Sequence, residues 1–350
     1  MKKNKYILII VIVLAVVAAF LWFSKSSGTI SPKMMNFAIK DTSNITKVFL
    51  ANKRNKSVLL EKVSPGEWRM NGKYKVRKSG IDMLMETMIR VTPKTPVPKS
   101  AHNSVVRMLA ASSIKVEIYQ EVFRIDMFGL KLFPHEKLTK TYFVGPPSAD
   151  NMGTFMLMKG ASIPFVVHIL NFRGFLGPRY SVIESDWRDH TVFNTKLADI
   201  KSITMEVTDN PEESFKVENE GKSPIMYAHD GTQVNGYDTI FLLNFMLSFS
   251  DLRFEAILNP DVTQQRIDSI RGSVPKFILT VEDKKNKITQ LKAFPRPNAE
   301  EKVNSFGELY VYDLNRLYGI VNDGEDLLMI QYYVFDKVLL GKSDFKLENK

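Results

Sequence analysis

The 350-residue chain contains no cysteine. It therefore has no disulfide framework, no thiolate nucleophile, no cysteine-based zinc or iron–sulfur site and no cysteine that could carry a lipid. The absence suits an exported protein, because mispaired disulfides cannot form in an oxidising compartment. We predict no cofactor.

Motifs that carry chemistry are equally scarce. The sequence has no phosphate-binding loop, no dinucleotide fingerprint, no His-Glu-x-x-His pair and no Gly-x-Ser-x-Gly elbow. Its five histidines are dispersed, whereas histidine-built metal sites usually include a close pair. Segment 184–190 (ESDWRDH) gathers carboxylates, a serine and an imidazole, but neighbours in one loop point in different directions, so we interpret it as an inter-repeat junction. The prediction is a protein that is not an enzyme, with no catalytic residue and no metal ligand.

The chain also lacks an excess of positive charge outside its N-terminus. The formal net charge is +10, yet the first 40 residues hold six lysines and no acid, which leaves 42 basic against 38 acidic residues. A nearly balanced body gives little of the counterion release that drives nucleic-acid binding. We therefore predict no nucleic-acid partner.

One long apolar run is present, from Tyr6 to Phe23 (YILIIVIVLAVVAAFLWF). As a helix it would span about 27 Å, close to the hydrocarbon thickness of a bilayer. A cleaved signal peptide is the alternative, because small residues occur within the run. Lysines before the run favour a cytoplasmic N-terminus. The prediction is a single-pass protein of the inner (cytoplasmic) membrane, held through residues 6–23, with its C-terminal body in the periplasm.

The rest of the chain repeats one order of elements at an offset of about 150 to 160 residues. Short strands such as Ile45 to Leu50 and Ile200 to Val207 precede segments of helical spacing, Ile81 to Ile89 and Ile240 to Phe249. We further predict a docking helix at Asp326 to Leu340 and pair Gly153 to Met158 with Gly307 to Tyr312. The predicted fold class is α+β: two tandem related repeats, each a mostly antiparallel sheet with one or two packed helices, preceded by a transmembrane helix.

The domain boundaries follow from these patterns. They are 1–28 for the cytoplasmic tip and transmembrane anchor, 29–43 for a tether, 44–186 for the first repeat, and 187–350 for the second repeat with its C-terminal helix.

The candidate interaction residues are Arg173, Phe175, Arg179, Trp187 and Arg188. The first three lie in segment 171–180 (NFRGFLGPRY), where arginine and exposed aromatic side chains would suit a protein partner or a glycan. The alternative is a structural loop whose phenylalanines plug the first domain. At the junction, Trp187 is interpreted as an apolar anchor and Arg188 as an ion-pair partner.

The stretch Tyr142 to Tyr180, followed by Asp186-Trp187-Arg188-Asp189, resembles a family of Bacteroidota proteins with an N-terminal anchor and a domain of unknown function. The resemblance covers about Ile45 to Phe335, and Trp68 and the turn at Val144-Gly145 also fit it. Relatives of that domain occur beside gliding-type ABC transporter auxiliary subunits, which implies an accessory role in the cell envelope.

Two functions stay open at this point. The favoured one is a non-catalytic, membrane-anchored periplasmic accessory or scaffold protein that binds a protein partner in an envelope complex, with transporter association implied by the resemblance. The alternative is an envelope enzyme or a small-ligand or glycan-binding module that uses the Arg173/Arg179 loop.

Overall fold

The computed structural model describes residues 11–18, 32–127, 130–219, 223–259 and 261–347. The chain divides into two compact units, Met1–Asp189 and His190–Lys350. Each unit is built on one large antiparallel sheet. The division falls after Asp189, whereas the sequence places the boundary after Asp186.

The sheet of the first unit has nine strands in the order β4-β3-β2-β1-β6-β7-β8-β9-β5. The strands are β1 (Ile45–Ala51), β2 (Ser57–Ser64), β3 (Glu67–Met70), β4 (Tyr74–Lys75), β5 (Val91–Pro96), β6 (Ile114–Met127), β7 (Leu130–Pro147), β8 (Thr154–Met158) and β9 (Phe165–Ile169). The α-helices described in this unit from residue 32 onward are α1 (Pro32–Met35), α2 (Lys78–Arg90) and α3 (Lys99–Ser112).

Alternation along the strands decides which side chains enter the core of the first unit. In β1, Val48 and Leu50 are fully buried, while Phe49 between them points to the other face of the sheet. Helix α2 covers the buried face with Leu84 and Met88. Phe37, which lies in the segment predicted as a tether, is buried in the same core.

Helix α3 covers the opposite face over β7 and β8. Its Leu109 packs with Phe155, whose neighbour Met156 points into the main core. The helix comes so close to β7 that a Cβ atom at Gly145 would overlap Leu109 and lie 3.0 Å from the carbonyl oxygen of Phe155. Glycine at this position therefore permits the contact.

The large sheet of the second unit has eight strands in the order β13-β12-β11-β16-β17-β18-β19-β15, and a separate two-stranded sheet pairs β10 with β14. The strands are β10 (Thr191–Phe193), β11 (Ile200–Val207), β12 (Phe215–Glu218), β13 (Ile225–Ala228), β14 (Leu252–Arg253), β15 (Ala256–Ile257), β16 (Phe277–Asp283), β17 (Ile288–Pro297), β18 (Tyr312–Val321) and β19 (Leu328–Gln331). The α-helices described here are α4 (Thr239–Leu247), α5 (Gln264–Arg271) and α6 (Tyr332–Phe335).

The two large sheets follow one topology. Replacing β1, β2, β3, β6, β7, β8, β9 and β5 by β11, β12, β13, β16, β17, β18, β19 and β15 converts one strand order into the other, except for the additional edge strand β4. A shift in register also recurs at the same place, between Ile45 and Lys47 in β1 and between Ile200 and Ser202 in β11. Leu50 and Met205 lie the same number of residues after this shift, so they are equivalent positions. Each also pairs with the second strand of its unit.

The predicted fold class needs correction. Antiparallel sheet dominates both units, and the described helices are short, none longer than the 14 residues of α3. In the described part of the chain no helix is long and apolar enough to cross a membrane. Within the apolar run 6–23 the structure describes residues 11–18, which are helical.

Two predictions drawn from residues 6–23 are therefore wrong for the helix that the structure describes. They are the transmembrane anchor and the single-pass localisation in the inner membrane. Residues 6–10 and 19–23 of that run lie outside the described residues.

The docking helix predicted for Asp326 to Leu340 is also wrong. Its first half contains strand β19, which pairs with β18 and β15, and helix α6 is only four residues long. Gly307 to Tyr312 is not the counterpart of Gly153 to Met158, because the equivalent of β8 begins at Tyr312.

Candidate functional site

Arg179 of the predicted interaction loop holds the loop against the first unit. Its guanidinium lies 4.4 Å from the ring centroid of Phe172 and donates a hydrogen bond of 3.0 Å to the hydroxyl of Thr87 in α2. The next residue, Tyr180, is fully buried, with its hydroxyl 3.2 Å from that of Tyr142. Burial raises the pKa of Tyr180 to about 12. Arg179 therefore serves the packing of the loop.

Trp187 and Arg188 are likewise built into the first unit. Trp187 is buried and donates from Nε1 to the carbonyl oxygen of Ser181 at 2.9 Å. Arg188 lies with its guanidinium 3.7 Å from the ring centroid of Tyr74, beside the bridge that it forms with Val76. This segment covers the outer edge of β4, as edge strands require.

Arg173 and Phe175 are the predicted residues that remain on the surface. Phe175 is 37% exposed, and Arg173 is exposed with no hydrogen bond or ion pair within the described part of the chain. The five candidates thus do not form one site, because three of them are engaged in the fold. Among the described residues, no group of three or more histidine, aspartate or glutamate side chains could hold a metal ion.

A larger surface, which the sequence analysis missed, is the extension of the β6–β7 hairpin. Strand β6 pairs with β1 only as far as Gln120, and β8 begins to pair with β7 only at Tyr142. Beyond these points the described residues of β6 and β7 pair as strands only with each other, although the N–H of Glu121 still donates to the carbonyl oxygen of Asn44 at 2.8 Å. We call residues 121–127 and 130–138 the first arm; Phe128 and Gly129 lie outside the described residues.

Toward the tip of the first arm, beyond the pair Glu121 and Glu136 on the same side, one face is apolar. Cross-strand pairing and strand alternation place three pairs on it: Phe123 with Pro134, Ile125 with Leu132, and Met127 with Leu130. Of these side chains, Ile125 is 41% exposed, Met127 61%, Leu130 57% and Leu132 38%. Monomeric proteins seldom leave such contiguous apolar surface open to water, and a patch of this kind marks an interaction site.

The base of the first arm is held by polar contacts. Glu136 accepts hydrogen bonds from the hydroxyl of Thr46 at 2.6 Å and from Nζ of Lys47 at 3.2 Å. The hydrogen bond from Thr46, joined by the Lys47 ammonium, holds the pKa of Glu136 below its usual value. These contacts fix the arm to β1 while its apolar face stays free.

The second unit carries its own extension, residues 298–311 between β17 and β18, which we call the second arm. Its turn is ordered by Asn304, whose Oδ1 accepts hydrogen bonds from the backbone N–H groups of Phe306 at 2.9 Å and Glu308 at 3.0 Å. Phe306 is 87% exposed, and Leu309 is 63% exposed. An aromatic side chain is thus presented at the tip.

An ion-pair network anchors the second arm. Asp313 is buried, pairs with Arg296 and accepts a hydrogen bond of 2.8 Å from the backbone N–H of Asn315. Burial opposes ionisation of Asp313, but these hydrogen bonds and the Arg296 charge still hold its pKa below the ordinary value. Arg316 adds a bidentate pair with Glu255 at 2.7 and 3.1 Å.

The second unit also has an open trough of about 790 Å³ on the face of its sheet away from α4. Thr204, Lys216 and Tyr227 lie side by side across β11, β12 and β13 and line it. Nζ of Lys216 lies 2.6 Å from Glu218. At the positions of Thr204 and Lys216 the first unit has the apolar residues Phe49 and Leu59, so these two polar side chains of the trough belong to the second unit alone.

No protein-family model matches the chain, and no curated protein or solved structure is significantly similar to it. The resemblance to the Bacteroidota family therefore stays a prediction.

Proposed function

We propose that this protein is a non-catalytic accessory or scaffold protein that binds a protein partner through the apolar face of its first arm. The single observation that carries the proposal is the exposed apolar face formed by Ile125, Met127, Leu130 and Leu132 near the tip of the arm. An isolated two-stranded hairpin is marginally stable in water. A partner groove that covers this face would remove apolar surface from water at about 25 cal/mol per Å².

The resemblance to envelope proteins implies that the partner belongs to a cell-envelope complex. The first arm suits a protein groove because its two strands form a narrow, projecting ridge with its apolar side chains in register. The contacts of Glu136 with Thr46 and Lys47 hold the base of this ridge. Because the arm is already ordered there, it loses less conformational entropy when a partner binds.

The test is site-specific photocrosslinking from position 130 in the source cells, with identification of the captured protein by mass spectrometry. The full-length protein that keeps the crosslinker at position 130 and also carries Met127→Asp and Leu132→Asp is expected to lose that crosslinked species, while its melting temperature stays close to that of the wild type. A matched control is Val274→Asp, which changes a 68% exposed apolar residue outside both arms and should leave the crosslink intact.

Two outcomes would contradict the proposal. One is recovery of the wild type only as a free monomer after crosslinking and gentle extraction. The other is an unchanged crosslinked species in the double variant.

A further inference from the structure

A second surface with the features of a ligand site lies at the point where β19 passes into α6. A cleft of about 480 Å³ opens there, which we call the tyrosine cleft, within the 300–1,000 Å³ typical of small-molecule sites. Its rim carries Tyr333, whose side chain is 93% exposed. A tyrosine ring buries 150–250 Å² when it is covered, so a ring left in water offers a flat contact surface to a ligand.

Polar side chains converge on the same cleft. They are the amides of Asn315 and Gln331, the hydroxyl of Tyr332 and the carboxylate of Asp336. Across the described residues none of these four side chains makes a hydrogen bond or ion pair. Pairing of β18 with β19 brings the two strands together here, with Arg316 opposite Gln331. The cleft therefore offers donors and acceptors that the fold itself does not use.

The cationic group of the cleft is already neutralised. The guanidinium of Arg316 is held by both oxygens of Glu255, and its Nη1 lies 3.6 Å from Glu300. Desolvation raises the pKa of Asp336, which lines the cleft. An acidic or phosphorylated ligand would face the Asp336 carboxylate, and Arg316 could not offset the repulsion because its charge is already paired with Glu255. The cleft therefore favours an uncharged ligand.

We propose that the tyrosine cleft binds a neutral saccharide. The C–H face of one pyranose ring would stack on Tyr333, and its hydroxyls would exchange hydrogen bonds with Asn315, Gln331 and Asp336. Saccharide hydroxyls donate and accept, which matches amides that do both and a carboxylate that accepts. This site is independent of the first arm and of the Arg173/Arg179 loop.

The experiment is isothermal titration of the full-length protein with cellotetraose, maltotetraose, mannotetraose and chitotetraose. We expect at least one of them to bind with a Kd near or below ~1 mM. Tyr333→Ala should weaken that binding at least tenfold, and Tyr333→Phe should retain it because the ring remains. Asn315→Ala with Gln331→Ala should also weaken it at least tenfold.

Tyr312→Ala is the matched control, since Tyr312 is 54% exposed but does not line the cleft, and it should bind as the wild type does. The proposal is overturned if no tetrasaccharide binds below ~10 mM, or if Tyr333→Ala binds as tightly as the wild type. Tyr333 is almost fully exposed, so its removal leaves the fold intact. Loss of the crosslink at position 130 would bear only on the scaffold proposal.

Discussion

The two units share a strand order but lengthen different hairpins. In the first unit the β6–β7 hairpin extends into an arm, while the β7–β8 turn is short and closed by a hydrogen bond of 2.9 Å from Ser148 N to Gly153 O. In the second unit the β16–β17 turn is short, and the β17–β18 connection carries the arm. Successive turns of an antiparallel sheet lie at opposite ends, so the arms leave opposite ends of their own sheets.

The difference indicates where this fold tolerates longer hairpins. Positions within the sheet are constrained by a strand on each side and by the core. A hairpin that passes its last neighbouring strand has no such constraint, and loops of this kind commonly carry function. The faces diverge as well: Phe49 and Leu59 stand in the first unit where Thr204 and Lys216 line the trough of the second.

The largest effect is expected from the equivalent core residues Leu50 and Met205, both fully buried. Leu50→Ala or Met205→Ala should each lower the free energy of unfolding by about 2–5 kcal/mol, because each leaves a cavity. Urea unfolding measures the loss, and hydrogen exchange assigns it to a unit. The exposed residues Leu170 and Ile288 supply alanine controls that should change stability by less than ~0.5 kcal/mol. A loss below ~1 kcal/mol in either core variant would break the equivalence.

The next effect concerns the ion pair below the second arm. Asp313→Asn should lower stability at neutral pH by about 3 kcal/mol, because Arg296 loses its buried partner. The folded pKa of Asp313 is lowered, so its contribution is present above the unfolded pKa of about 3.9 and is lost as pH falls through the folded value. The free energies of unfolding of the wild type and the variant should therefore converge as the pH falls into strong acid. A constant difference between the two free energies from pH 7 to pH 2 would contradict this.

Lys140 provides a pH effect confined to the first unit, since Thr289 stands at the equivalent position. Its ammonium donates to carbonyl oxygens of Asn36 and Ala38, and burial lowers its pKa from 10.5 to about 8. The unfolded chain then binds the proton more tightly than the folded one, so this residue makes stability rise between pH 8 and 10.5. The rise should be absent in Lys140→Met, as measured by urea unfolding across that range. A rise of equal size in the variant would exclude Lys140 as its source.

The smallest stability effect is expected from making the first unit resemble the second. Replacing residues 122–135 by Asp-Lys-Lys-Asn-Lys, the sequence of 283–287, copies a turn in which Asp283 accepts hydrogen bonds from the N–H groups of Lys285 and Lys287 at 2.8 and 2.9 Å. Stability should change by less than ~1 kcal/mol, because the arm adds nothing to the core. The protein that position 130 crosslinks in the wild type should no longer copurify with this variant after gentle extraction. A stability loss above ~2 kcal/mol would show that the arm belongs to the core.

Strand positions were the most predictable part of this fold. Short runs rich in valine, isoleucine, leucine and phenylalanine between polar turns predicted strands such as Ile45 to Leu50 and Ile200 to Val207, and both are strands. The helix predicted around Ile81 to Ile89 is confirmed as α2. Helix α3 was missed because only Val105 and Leu109 of its 14 residues are buried, which leaves a weak amphipathic pattern.

Segment 326–340 shows how tertiary context overrides a local pattern. Its apolar spacing fits a helix, yet residues 328–331 pair with β18 as strand β19, and Leu328 and Met329 also pair with β15. Two neighbouring strands satisfy the backbone N–H and C=O groups that a helix would have satisfied internally. Residues distant in sequence decided this outcome.

The sequence by itself determined the absence of cysteine chemistry, the near-neutral body and the alternation that sorts side chains between the two faces of each sheet. Only the tertiary structure decided which apolar strand residues are covered, because Leu50 and Ile125 both lie in strands of one sheet while Leu50 is fully buried and Ile125 is 41% exposed. The tyrosine cleft needed the structure for a similar reason. Arg316 and Gln331 meet only through strand pairing, and Asp336 joins them through the turn into α6.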